Sequence, residues 1–205
     1  MTLDSDDIVE RWLHMIKRIT VCLLVTVCFV ALSQIAAAVN YDYFEAIGEP
    51  DVEGGRKQYV RMAEVNHLAK VLPHIAAGHY QYAIDELRFV LHAVPNHPRA
   101  LMLLQVVATA TKNTALGIDH FEKAIRMFPQ YAITHAQYGW YLVEMNRMEA
   151  GIFKLKQAIE MDAKLMPAYV WLSRAYSKSG NPQLARQTAE QAKELGYKGQ
   201  SLGEK

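Results

Sequence analysis

From Glu64 to Gly199 the chain repeats itself every 34 residues, four times in phase. Four columns show the repeat. Small residues fall at Ala83, Gly117, Gly151 and Ala185. Four positions later stand Leu87, Phe121, Leu155 and Ala189, and three beyond them Val90, Ala124, Ala158 and Ala192. The last column opens with Pro95 and Pro129 and lapses to Ala163 and Tyr197. A fixed period of this length marks an array of like supersecondary units. Each is too small to bury its own apolar face, so neighbours must stack to make a core. Arrays of this kind bind far more often than they catalyse.

Within each period the apolar residues recur every three or four positions, in two blocks with a break between them, which is the spacing of two helices and a turn. In the last period the first block is Tyr169, Leu172, Ser173 and Tyr176, and the second is Ala185, Ala189, Ala192 and Leu195. Gly180-Asn181-Pro182 makes the turn between them. Asn181 is placed to cap the second helix, with Pro182 at its first position, where a missing N–H costs nothing. The small residue early in each second block lets two backbones approach closely, and a bulky side chain there would splay the hairpin.

These blocks resemble the tetratricopeptide repeat, whose first helix reads W-x2-L-G-x2-Y and whose second carries A-x3-F and then P. Tyr169-x2-Leu172-Ser173-x2-Tyr176 and His135-x2-Tyr138-Gly139-x2-Leu142 follow the first half well, and Leu101-x2-Leu104-Gln105-x2-Ala108 follows it loosely. His67-x2-Lys70-Val71-x2-His74 departs from it, and Pro73 is expected to kink that helix. The resemblance implies an all-α superhelical array of about four helical hairpins, over 64–97, 98–131, 132–165 and 166–199, with a short tail at 200–205.

Ahead of the array, Ile19 to Val39 is a run of 21 residues without a charge. About 20 such residues span a ~30 Å hydrocarbon core as a helix. Arg11, Lys17 and Arg18 precede the run, whereas Asp42, Glu45, Glu49, Asp51 and Glu53 follow it before the first basic residue, Arg56. Basic flanks stay on the cytoplasmic side. The expectation is therefore a cytoplasmic segment at 1–18, a transmembrane signal-anchor at 19–39, an acidic linker and lead-in at 40–63, and repeats outside. In a bacterium that places the repeats in the periplasm, on the outer face of the inner membrane. Tyr41, Tyr43 and Phe44 would sit at the headgroup level. The competing reading is a cleavable signal peptide ending at Ala36-Ala37-Ala38, which would leave a secreted or periplasmic product. The long, acidic amino-terminal stretch with Trp12 speaks for the anchor.

The net charge is +1, so electrostatics gives no case for a nucleic-acid partner. Cys22 and Cys28, the only cysteines, both lie in the apolar run, so the repeats must fold on packing without a disulfide. Histidine is distributed suggestively: His67, His74, His79, His92 and His97 are five of the eight in the chain. They define the rival reading, a metal- or redox-cofactor-handling accessory protein. Their spacing matches no familiar ligand set, and no cysteine or paired carboxylate completes one. They read instead as packing and turn histidines, with no cofactor implied. No nucleophile elbow, phosphate loop or C-x-x-C-H is present, so no enzyme is expected.

In the family that the chain resembles, the first helices line a concave groove at their second, fifth, ninth and twelfth positions. Carried onto this sequence, these are Val65, Leu68, Leu72 and Ile75, then Arg99, Met102, Val106 and Thr109. The third unit supplies Ile133, Ala136, Trp140 and Val143, and the fourth Pro167, Val170, Arg174 and Ser177. A largely apolar groove with Arg99, Arg174 and Lys178 as its basic groups suits an amphipathic helix or extended apolar segment. The expected role is a membrane-tethered scaffold that holds another exported or membrane protein, in cytochrome c maturation, pilus or secretion assembly, or a similar envelope complex. A second copy of the chain is also open as a partner. The first helix, apolar on nearly every face, is expected to be covered, and Gln183 to Leu195 to face water as a solvating cap.

Overall fold

The computed structural model describes residues 40–199, and these form ten α-helices and one π-helical turn with no strand among them. The expected anchor at 19–39, the segment at 1–18 and the tail at 200–205 lie outside the described residues. No helix among the described residues is long and apolar enough to cross a membrane.

The chain enters through α1 (Tyr43–Gly48) and α2 (Arg56–Ala63). A π-helical turn at Glu64–Leu68 carries α2 straight into α3 (Ala69–Ala76), and α4 (Tyr80–Ala93) pairs with it. Three further hairpins follow: α5 (Pro98–Thr111) with α6 (Ile118–Met127), α7 (Ala132–Glu144) with α8 (Met148–Met161), and α9 (Met166–Lys178) with α10 (Pro182–Glu194). The expected phase holds, but the first helix begins at Arg56 rather than Glu64. Its irregularity is the widened turn, where the Ala69 N–H reaches back to the Glu64 carbonyl. Pro73 lies in α3 just beyond, where its ring excludes an N–H bond to Ala69.

The repeat columns are the core. Leu87, Phe121 and Leu155 are fully buried, as are Val90, Ala124, Ala158 and Ala192. Small residues decide how closely the hairpins close. A Cβ on Gly151 would stand 2.6 Å from Val143 Cγ2, and one on Gly117 2.7 Å from the Tyr141 ring. Each first helix also ends the same way, on a left-handed residue 34 positions from the last: Gly78, Lys112, Asn146 and Gly180. The following N–H then bonds back to the helix: His79 to the His74 carbonyl, Asn113 to Ala108, Arg147 to Leu142 and Asn181 to Tyr176. This αL-terminated closure satisfies carbonyls that the helix end leaves open. It occupies the Asn181 backbone, while the Asn181 side chain turns back to donate to the Ser179 carbonyl and hydroxyl. Asn181 thus holds the N-cap position of α10 without making the side-chain cap expected of it.

Residues 40–63 are folded rather than a linker. Asp42 is buried and caps α1 by accepting from the Phe44 N–H at 3.0 Å. The same carboxylate accepts from Asn96 Nδ2 at 2.9 Å and from the Tyr131 hydroxyl at 2.8 Å. The Tyr41 N–H bonds to the Ala93 carbonyl and the Tyr43 N–H to Asn96 Oδ1. Tyr41, Tyr43 and Phe44 pack on Tyr59, His97 and Tyr131, with ring centroids 4.8, 4.6 and 4.3 Å apart. The Tyr43 and Phe44 rings seat the lead-in on the turns that flank unit two, and the Tyr41 ring packs on α2. The acidic side chains of this stretch pair locally instead, Arg56 with Glu45 and Glu49, and Arg61 with Asp51 at 2.6 Å. At the far end α10 buries only Ala185, Thr188, Ala189 and Ala192, so its outer face meets water as the composition implies.

Candidate functional site

The groove positions lie on α2–α3, α5, α7 and α9, and the structure divides them into two kinds. Leu68, Ala136, Val143 and Val170 are buried and offer no surface to a partner. Leu68 packs in the cluster shared with α4 and α5, Ala136 and Val143 in the one shared with α8 and α9, and Val170 against Ala189 and Ala192. Packing between hairpins uses these side chains, which the periodicity alone could not separate from the groove row.

Val65, Leu72, Met102 and Val106 are exposed, at 64%, 48%, 50% and 44%. They stand on the first helices of units one and two, where Leu72 and Val106 share a column, and Met62 adds to them. The first helix is therefore not covered on this face by the lead-in, which buries Val60 and Ala63 instead. Ile75, Ile133, Trp140 and Pro167 are half-buried, and Arg99, Thr109, Arg174 and Ser177 are exposed. The Lys178 ammonium sits 5.2 Å from the centre of the Trp140 ring and pairs with Glu144. Cation–π attraction and the carboxylate together hold that lysine, so the groove's basic groups with no ion pair among the described residues are Arg99 and Arg174. The surface thus runs from four aliphatic side chains in units one and two, past an indole, to a guanidinium in unit four.

The five histidines are dispersed among structural roles. His67 Nδ1 lies 2.6 Å from Glu86 Oε2 and its ring stacks on Phe89 at 3.7 Å. His97 is fully buried: Nδ1 accepts from the Ala100 N–H to cap α5, and Nε2 bonds Glu64 Oε1 at 3.1 Å. Burial pushes the His97 pKa below its ordinary value, against the opposing pull of Glu64. His74 stacks on Tyr82, with His79 6.4 Å away, and His92 is exposed near the end of α4. Among the described residues no three metal-ligating side chains converge on one point.

Residues 167–195 match the family profile of the tetratricopeptide repeat. The fold is a tetratricopeptide-repeat array. A thermophilic TPR protein of Thermus thermophilus superposes over 65% of this chain and 74% of its own, at 19% identity and a TM-score of 0.52. Pseudomonas aeruginosa PilF does so over 67% of this chain and 63% of its own, at 21% identity and a TM-score of 0.51. At these identities the likeness is one of fold. No curated protein matches the sequence.

Proposed function

We propose that this chain is a non-catalytic scaffold that receives an apolar segment of another exported or membrane protein along its first helices. Residues 19–39 hold it at the inner membrane with the repeats on the periplasmic side, and the client is a component of an envelope complex under assembly or maturation. The observation that carries this reading is the exposure of Val65, Leu72, Met102 and Val106 on the first helices of adjacent units, while the repeat columns that begin at Ala83, Leu87 and Val90 are buried. Aliphatic side chains aligned on a helical surface are the complement of an amphipathic helix or extended apolar segment. A carboxylate on that segment would meet Arg174 beyond the Trp140 ring. Tethering would raise the effective concentration of the groove toward any membrane-bound client.

The test is copurification of the full-length chain in mild detergent, with its companions identified by mass spectrometry, beside the double variant Met102→Asp/Val106→Asp. A stoichiometric companion lost in the variant, with the melting temperature unchanged, supports the groove. A companion retained by the variant overturns it. Immunoblotting of fractions tests the tether, since cleavage would yield a product shorter by about four kilodaltons that salt washes from the membrane.

A further inference from the structure

The second helices carry a cleft of their own, and the repeat supplies an internal control for it. A hollow of ≈ 430 Å³ opens between α6 and α8, above Tyr138 and Leu142 of α7. Its opening traces to one column. Position 150 is alanine in unit three, where units two and four carry Leu116 and Leu184 and unit one carries Tyr82. The missing side chain leaves the space. Beside it Phe153 stands where the neighbouring units place Asp119 and Gln187, and it is 65% exposed. Arg147 stands where those units place Asn113 and Asn181. Three positions that are filled or polar in the adjoining units are thus small, aromatic and basic here, and all three line the same hollow.

The rim is basic. Arg126, Arg147 and Lys154 surround the opening, against the single carboxylate of Glu122. That carboxylate is already engaged: Tyr138 donates to it at 3.2 Å and Arg126 lies 3.9 Å away. Lys154 donates to Gln157 at 3.0 Å, and no carboxylate among the described residues pairs with Lys154 or Arg147. An apolar floor inside a cationic rim selects an apolar side chain flanked by negative charge. A pocket built for a small molecule encloses most of its ligand. A wall as exposed as Phe153 does not, and suits one anchoring side chain on a longer segment.

We propose that this cleft is a second interaction site, distinct from the first-helix groove, which takes an acidic segment of a partner protein by one aromatic or branched aliphatic side chain. The anchor fills the volume left by Ala150 against Phe153 and Tyr138, and Asp or Glu residues beside it meet Arg147, Arg126 and Lys154. The array would then hold two segments at once, one along its first helices and one between its second helices.

The test selects short random peptides against the full-length chain in mild detergent and measures the survivors by fluorescence anisotropy. Ala150→Leu installs the neighbouring units' residue and fills the hollow, and Phe153→Gln removes its wall in the same way. The expected result is a set of peptides with an apolar anchor beside Asp or Glu, weakened about tenfold or more by either variant, as for loss of an anchor pocket. Arg147→Glu should weaken them too, salt should compete, and Val106→Asp should leave them unchanged. Circular dichroism confirms that each variant is folded, and Phe153→Gln decides alone if Ala150→Leu is not. The proposal is overturned if no such peptides emerge, if those recovered lack acidic residues, or if they ignore the cleft variants and fail with Val106→Asp. Binding of free 3-phenylpropionate that Phe153→Gln abolishes, without any peptide doing the same, would make this a small-ligand site and also overturn it.

Discussion

Gly139 and Gly151 face each other across the hairpin of α7 and α8, each closing the space that the other's side chain would need. A Cβ on Gly139 would lie 2.9 Å from the Gly151 carbonyl oxygen, and one on Gly151 2.7 Å from that of Gly139. In unit four the same two places hold Ser173 and Ala185, whose close approach is secured by the Ser173 hydroxyl donating to the Ala185 carbonyl at 2.8 Å. The close approach is therefore a property of the repeat.

Alanine at Gly151 tests it. Helix propensity alone favours the substitution by roughly 1 kcal/mol. The new Cβ, however, meets backbone and a packed valine, neither of which can swing away, and overpacking of this kind costs about 1–3 kcal/mol. Gly151→Ala should lower the urea midpoint with little change in slope, and Gly139→Ala should do the same. A midpoint that rises would show that the hairpin can open at no expense.

A second test concerns Asp42, which ties the lead-in to the two turns that flank unit two. Removing the carboxylate strands Asn96 Nδ2 in a fully buried site and breaks the bond from the Tyr131 hydroxyl. Each buried donor left unpaired costs about 1–3 kcal/mol. Asp42→Ala should therefore destabilise the first two units and expose residues 49–55 to proteolysis. Cleavage no faster than in the parent would mean that the ring contacts of Tyr43 and Phe44 suffice.

The array was legible because its signal is repeated. Leu87, Phe121 and Leu155 are all core residues, and Ala83 and Ala185 of the small-residue column are fully buried with them. What could not be read was how the rows of a first helix divide between groove and packing. Leu68 and Met102 share a column, yet one is buried and the other half exposed: Leu68 lies in the π-helical turn and Met102 in the regular helix α5. The lead-in reads as a linker because its acidic and glycine-rich composition hides an anchoring aspartate and two aromatic contacts made by distant turns. The second-helix cleft did leave a sequence signal, the break Leu116–Ala150–Leu184, but one that acquires meaning only once those helices are seen side by side.

Lys112 offers the opposite kind of test. It ends α5 at φ 55°, in the row where Gly78 and Gly180 adopt φ 73° and 75°. A side chain in the left-handed region costs roughly 1–2 kcal/mol, partly offset by the freedom that glycine adds to the unfolded chain. Lys112 is exposed and makes no ion pair among the described residues, so little else changes. Lys112→Gly should stabilise the protein by about 0.5–1 kcal/mol, whereas Asn146→Gly should gain less, since asparagine tolerates this conformation. A lower melting temperature for Lys112→Gly would contradict the assignment.

Acid should loosen the array from the inside. His97 is held below its ordinary pKa chiefly by burial, with Glu64 opposing and Arg99 adding, and His120 is lowered by burial and then by Arg88 and Lys123. A histidine depressed in the folded state binds its proton more readily in the unfolded chain. Its stabilising effect is therefore complete above the unfolded value of about 6.5 and declines as pH falls from there toward the folded pKa. Protonating His97 at Nδ1 would also cost α5 its cap, because that nitrogen accepts from the Ala100 N–H. The urea midpoint should fall between about pH 7.5 and pH 5. His97→Asn, which keeps a cap acceptor but cannot titrate, should be less stable at neutral pH and flatter across that range, with His120 still contributing to the slope. An NMR titration of the parent decides the matter directly: a His97 ring that protonates at or above the ordinary histidine value would remove the buried, neutral imidazole on which this pH dependence rests.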